Sequence, residues 1–106
     1  MDSLSERTIK WMFDDGPMAG VTFDHEFAGD GSVTWRIVDG PMKGASKREK
    51  SYAAVRVNTT TWAVSYLAAS GHTLTVVLSL DDGRAVGFAS DNSSWVPMHG
   101  RFEFVD

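Results

Sequence analysis

The chain has 106 residues, 42% hydrophobic and 23% charged, which suits one domain built on a single core (residues 1–106). Its net charge of −4 speaks against a non-specific nucleic-acid binder, and no nucleic-acid partner is expected. With no cysteine, a disulfide framework and a thiolate metal site are both excluded.

Ser3 and Glu6 have the spacing of a capping box, which predicts a short helical turn before the first strand. No apolar stretch resembles a signal peptide or approaches membrane-spanning length, so no membrane partner is expected and a cytoplasmic protein is the default. Residues 8–13 then alternate, with Ile9, Trp11 and Phe13 on one face. The turn-rich segment DDGPMAG leads to a second strand over 21–27, where Phe23, His25 and Phe27 share a face opposite Asp24 and Glu26. Gly29-Asp30-Gly31 marks a tight hairpin into a third strand over 32–38. That strand puts Val33, Trp35 and Ile37 on one face and Thr34, Arg36 and Val38 on the other.

The third strand ends in DGPMKG, which repeats the earlier DGPMAG and predicts similar turn chemistry at two strand exits. The basic run over 43–50, interrupted by Glu49 and free of aromatic residues, reads as a solvated loop. Further strands follow over 51–57, 60–67, 73–80, 84–90 and 98–105, joined by connections short enough for antiparallel hairpins. About eight short strands with no long amphipathic helix predict an all-β fold, an antiparallel up-and-down barrel. A β-sandwich is the alternative architecture.

No cofactor motif is present: the glycines form neither a GxGxxG nor a Walker-type phosphate loop, and no cofactor is expected. His25, His72 and His99 lack the i, i+4 spacing of a helical zinc site, so no metal is expected. The serines stand outside any nucleophile-elbow pattern. The aromatic set Trp11, Phe13, Phe23, Phe27, Trp35, Trp62 and Tyr66 has two readings, core filling or the lining of a flat apolar pocket. Arg36 likewise has two: a surface arginine whose stem covers apolar area, or the anchor of an anionic ligand.

Trp35-Arg36-Ile37, then Gly40 and Gly44, then Val64-Ser65-Tyr66 before Ser70-Gly71, resembles the pattern of the MoaF-like proteins and the bacterial phenolic acid decarboxylases. The resemblance covers somewhat over half the chain and implies a calycin (lipocalin-like) barrel. In the decarboxylases it implies an inward arginine, a glutamate and two tyrosines. The arginine falls on Arg36, the glutamate on Ala68, and the tyrosines on Trp11 and Phe13, so three of the four catalytic groups are missing. What the resemblance implies here is a small acidic or aromatic ligand in the barrel, with Arg36 as anion anchor and Trp11, Phe13, Trp62 and Tyr66 around it. A lyase or isomerase using Tyr66, His25 or Glu26 for proton transfer is the second reading. A closed barrel acting as an interaction module, with a homodimer as its functional unit, is the third.

Overall fold

The computed structural model describes residues 4–16 and 18–105. Ser3, and with it the expected capping box, lies outside them. Nine strands follow one another: β1 (Arg7–Phe13), β2 (Thr22–Phe27), β3 (Val33–Ile37), β4 (Ser46–Glu49), β5 (Tyr52–Asn58), β6 (Thr61–Leu67), β7 (Thr73–Ser79), β8 (Arg84–Ser90) and β9 (Trp95–Phe104). Among the described residues there is no helix, and so none long and apolar enough to cross a membrane.

The strands form one antiparallel sheet in the order β4-β3-β2-β1-β9-β8-β7-β6-β5. Every neighbour in space is therefore a neighbour in sequence, apart from β1 and β9, which join the two ends of the chain through the Trp11–Phe102 register. This is the up-and-down barrel the hairpin spacing predicts, with nine strands where about eight were expected. The additional strand is β4, inside the basic run read as a loop. Ser46-Lys47-Arg48-Glu49 has no apolar alternation, so nothing local marks it as a strand; pairing with β3 makes it one. Its exposed Lys47 and Arg48 are the charges that sheet edges commonly carry.

The sheet is nearly closed, and the seam lies between β4 and β5. Here a ladder is replaced by individual contacts. The Tyr52 N–H donates to the Gly31 carbonyl at 2.9 Å, and the Tyr52 ring meets Phe27 edge-on at 4.8 Å. The Glu49 carboxylate, only 3% exposed, accepts from Trp35 Nε1 at 3.0 Å and from the Ala69 N–H at 3.2 Å. One side chain thus ties β3 and β4 to the β6–β7 turn.

The inner face is the alternating apolar set the sequence shows: Ile9, Trp11, Phe27, Val33, Val76 and Ala85 are fully buried. The outer face is divided. Over β1–β3 it carries Lys10, Asp24 and Arg36 in one cross-strand row. Over β5–β8 the corresponding row is Val55, Ala63, Val77 and Val86, and beside it lie Phe88 and, near the corner, Leu67 and Trp95. Trp95 is 70% exposed and Leu67 64%.

Candidate functional site

The barrel interior is unevenly filled. At the end holding Ile9, Phe27, Trp62 and Leu78 it is packed solid. At the other end a cavity of about 280 Å³ opens between the strands, with Phe13, Phe23, Trp35, Ile37, Leu74 and Met98 among its apolar walls. Its size falls just below the usual range of small-molecule pockets, which suits a compact ligand.

The two DGPMxG turns flank this cavity. They are built alike: Gly20 N–H bonds to Phe13 O at 3.0 Å and Gly44 N–H to Ile37 O at 2.9 Å, while the Met18 and Met42 carbonyls accept from Val21 and Ala45, each at 3.1 Å. Gly16, Gly20, Gly40 and Gly44 all take positive φ, the conformation for which glycine is suited. The repeat therefore places Met18 and Met42 in equivalent positions, and both line the cavity. Thioether side chains there are adaptable walls.

The polar groups of the cavity are few. His25, on the inner face of β2, stacks on Trp11 (centroids 3.9 Å apart, 23° between planes), and its Nε2 lies 3.1 Å from the Tyr66 hydroxyl. Its Nδ1 is buried with no partner among the described residues. Burial pushes the ring down to about 3, so it is neutral at ordinary pH. Tyr66 is shifted upward by its burial and then by the Glu49 charge, and stays a neutral phenol. Glu49 completes the buried set, while Lys47, Ser70 and His72, all exposed, and the half-buried Thr73 also lie on the lining.

Of the five expected site residues, Tyr66 and Phe13 line the cavity. Trp11 sits directly beneath it, against His25, and Trp62 belongs to the packed end. Arg36 does not enter. It is exposed on the outer face of β3, in register with Asp24 and Ser46. The reason is parity: Val33 and Ile37 are buried at 0% and 2%, and turning them inward forces Arg36 to water. Glu26 faces outward for the same reason, which removes it as an interior proton-transfer group.

Two features escaped the sequence reading. The inward face of His25 was legible from the Phe23-His25-Phe27 alternation, but its pairing with Tyr66, 41 residues away, was not. Glu49 gave no signal inside a charged run. Ala68, the position where the decarboxylase resemblance implies an acid, lines the same cavity as Glu49. The carboxylate on this wall comes from β4.

The sequence model of the MoaF N-terminal domain matches residues 1–93. The chain belongs to the MoaF family. A crystal structure from Burkholderia vietnamiensis, provisionally described as a beta-lactamase, superposes on this MoaF barrel with a TM-score of 0.78 at 20% identity, covering 96% of this chain and 95% of that one. At that identity the likeness shows the shared fold alone. No curated protein matches the chain.

Proposed function

We propose that this MoaF-family barrel is a cytoplasmic binding protein for a small, largely apolar aromatic molecule held in the interior cavity. The observation that carries the reading is the contrast between the two ends of one barrel: one is filled by side chains, and the other leaves about 280 Å³ bounded by aromatic and aliphatic walls with a few polar groups gathered together. Arg36 has no part in it.

Binding is favoured over catalysis by the titration behaviour of the candidate groups. A general acid or base works best with a pKa near the working pH. His25 is pushed down to about 3 and Tyr66 upward, so both move away from neutrality in the directions that suit a fixed hydrogen-bond pair. Phenolic acid decarboxylation has still less support, with the arginine outside and both phenols replaced by Trp11 and Phe13.

Ala89 is half-buried on β8 and lines the cavity, so a larger side chain there fills it. Ala89→Trp is expected to leave a cooperative melting transition while lowering the affinity for aromatic probes by about tenfold or more, read by equilibrium dialysis. Unchanged affinity in the filled variant would mean that the probes bind elsewhere.

The outer face of β5–β8, apolar along its centre with Arg84 at one end, supports a homodimer. Its Val55, Val77, Val86 and Phe88 make an exposed apolar patch of the kind a two-fold interface buries, whereas the row on β1–β3 is charged. Light scattering is expected to give twice the monomer mass for the native chain and the monomer mass for Phe88→Glu. A native chain that scatters as a monomer at high concentration rules the dimer out.

A further inference from the structure

The polar groups in the cavity specify more than the presence of a ligand. Within the His25–Tyr66 pair either the ring Nε2–H donates to the tyrosine oxygen, or the tyrosine O–H donates to Nε2. The second arrangement leaves a proton on Nδ1, which is fully buried and has no acceptor among the described residues. The first leaves only a lone pair there. Orphaned buried N–H groups are rarer than under-satisfied acceptors, so the first arrangement is the stable one. Stacking on Trp11 holds the ring in place for it.

With its oxygen accepting from His25, Tyr66 keeps its own proton for another partner. No second hydrogen bond from this hydroxyl is made among the described residues, and Tyr66 lines the cavity. Its proton is a buried donor available to whatever occupies that space. The neighbouring charge is negative: Glu49 is buried in the same wall, and among the described residues no arginine lines the cavity to balance it. Lys47 and His72 are exposed and have their charges or dipoles largely solvated.

We infer that the cavity selects a neutral aromatic ligand bearing a hydrogen-bond acceptor, a ketone or aldehyde oxygen held by the Tyr66 hydroxyl, and discriminates against the corresponding carboxylate through Glu49. This rests on the binding reading above and reverses the acidic ligand that the sequence resemblance implies. His25 acts as a positioning residue that fixes the direction of the tyrosine proton. The carboxylate loses because burying an anion beside a second anion is costly when the cation on the lining, Lys47, is exposed to water.

Three probes of one shape separate the possibilities: acetonaphthone, naphthoate and ethylnaphthalene of the same substitution pattern, measured by equilibrium dialysis at neutral pH. Acetonaphthone is expected to bind about tenfold or more tighter than naphthoate, and several-fold tighter than ethylnaphthalene. Tyr66→Phe should remove the advantage of the ketone over ethylnaphthalene while leaving ethylnaphthalene affinity within about twofold. Glu49→Gln should narrow the gap between ketone and carboxylate. Naphthoate binding as tightly as the ketone overturns the inference and leaves the binding reading standing. Ketone affinity unchanged in Tyr66→Phe overturns it in the same way. Failure of all three probes to bind overturns both readings. If Tyr66→Phe does not fold, the ketone-to-carboxylate ratio of the native chain decides.

Discussion

Gly100→Ala is expected to destabilise the protein by about 3 kcal/mol or more, a loss that lowers the melting temperature by on the order of 15 °C in a domain of this size. Gly100 lies on the inner face of β9, opposite Phe13 of β1 and Ala85 of β8. A methyl group there overlaps the Met12 carbonyl oxygen and comes within 2.8 Å of Phe13 Cα. These are backbone atoms, so relief requires β9 to move away from β1. That is the pairing which joins the two ends of the chain, and its loss opens the barrel on the side opposite the β4–β5 seam. Gly87 on β8 meets β7 in the same way at Thr75 and Val76. The comparison variant is Gly20→Ala, which meets nothing within 4 Å and carries only the cost of a positive φ of 78°, about 1 kcal/mol. Denaturant midpoints for the two variants check the difference; equal and small losses would mean that β1 and β9 are less closely apposed than described.

The second large effect is on stability against acid. The unfolded chain protonates His25 near its ordinary value of 6.5, while the folded chain holds it neutral down to about 3. Below pH 6.5 the unfolded state therefore binds more protons than the folded state, and stability falls as pH falls through this window. Above 6.5 the penalty is absent. The slope approaches about 1.4 kcal/mol per pH unit, comparable over two units to the loss of a large core side chain. Asp15, Asp30 and Asp91 have depressed values, Asp91 down to about 2, and their contribution is lost only as pH falls below the ordinary carboxylate value of 3.8. Between pH 6.5 and 4 the effect of His25 is consequently separable from theirs. Chemical denaturation at half-unit intervals should show the decline in the native chain and a much flatter profile in His25→Gln. A slope that survives the substitution contradicts the buried neutral imidazole.

The legibility of this fold follows the range of the forces involved. Alternation is local, so β1, β2, β3 and β6 could be read from runs such as Ile9, Trp11 and Phe13, and the hairpin spacing then dictated the order of the sheet. The repeated DGPMxG segments also predicted matched turns, because glycine conformation is a local matter. β4 was invisible because its strand character comes from β3. The resemblance to MoaF-like proteins was sound for the fold and misleading for Arg36. A short motif records that an arginine follows a tryptophan in a strand; which of the two faces inward depends on the apolar area of Val33, Trp35 and Ile37 together. Glu49 shows the converse case. Its chemistry depends on a seam between the first and last parts of the sheet, and nothing within the run 43–50 encodes that neighbour.

The proposed ligand, a small aromatic molecule, enters at the cavity end of the barrel. The four tryptophan indole N–H signals in a two-dimensional nitrogen–proton spectrum report on it directly, because the residues occupy distinct sites. Trp35 lines the cavity and bonds to Glu49, Trp11 lies beneath His25, Trp62 belongs to the packed end, and Trp95 stands on the outer surface. Titration with acetonaphthone is expected to move the Trp35 signal most and Trp11 next, to leave Trp95 in place, and to produce no such shifts in Ala89→Trp. Movement of Trp95 alone, or of none of the four while the probe binds, would place the ligand outside the barrel and contradict the account.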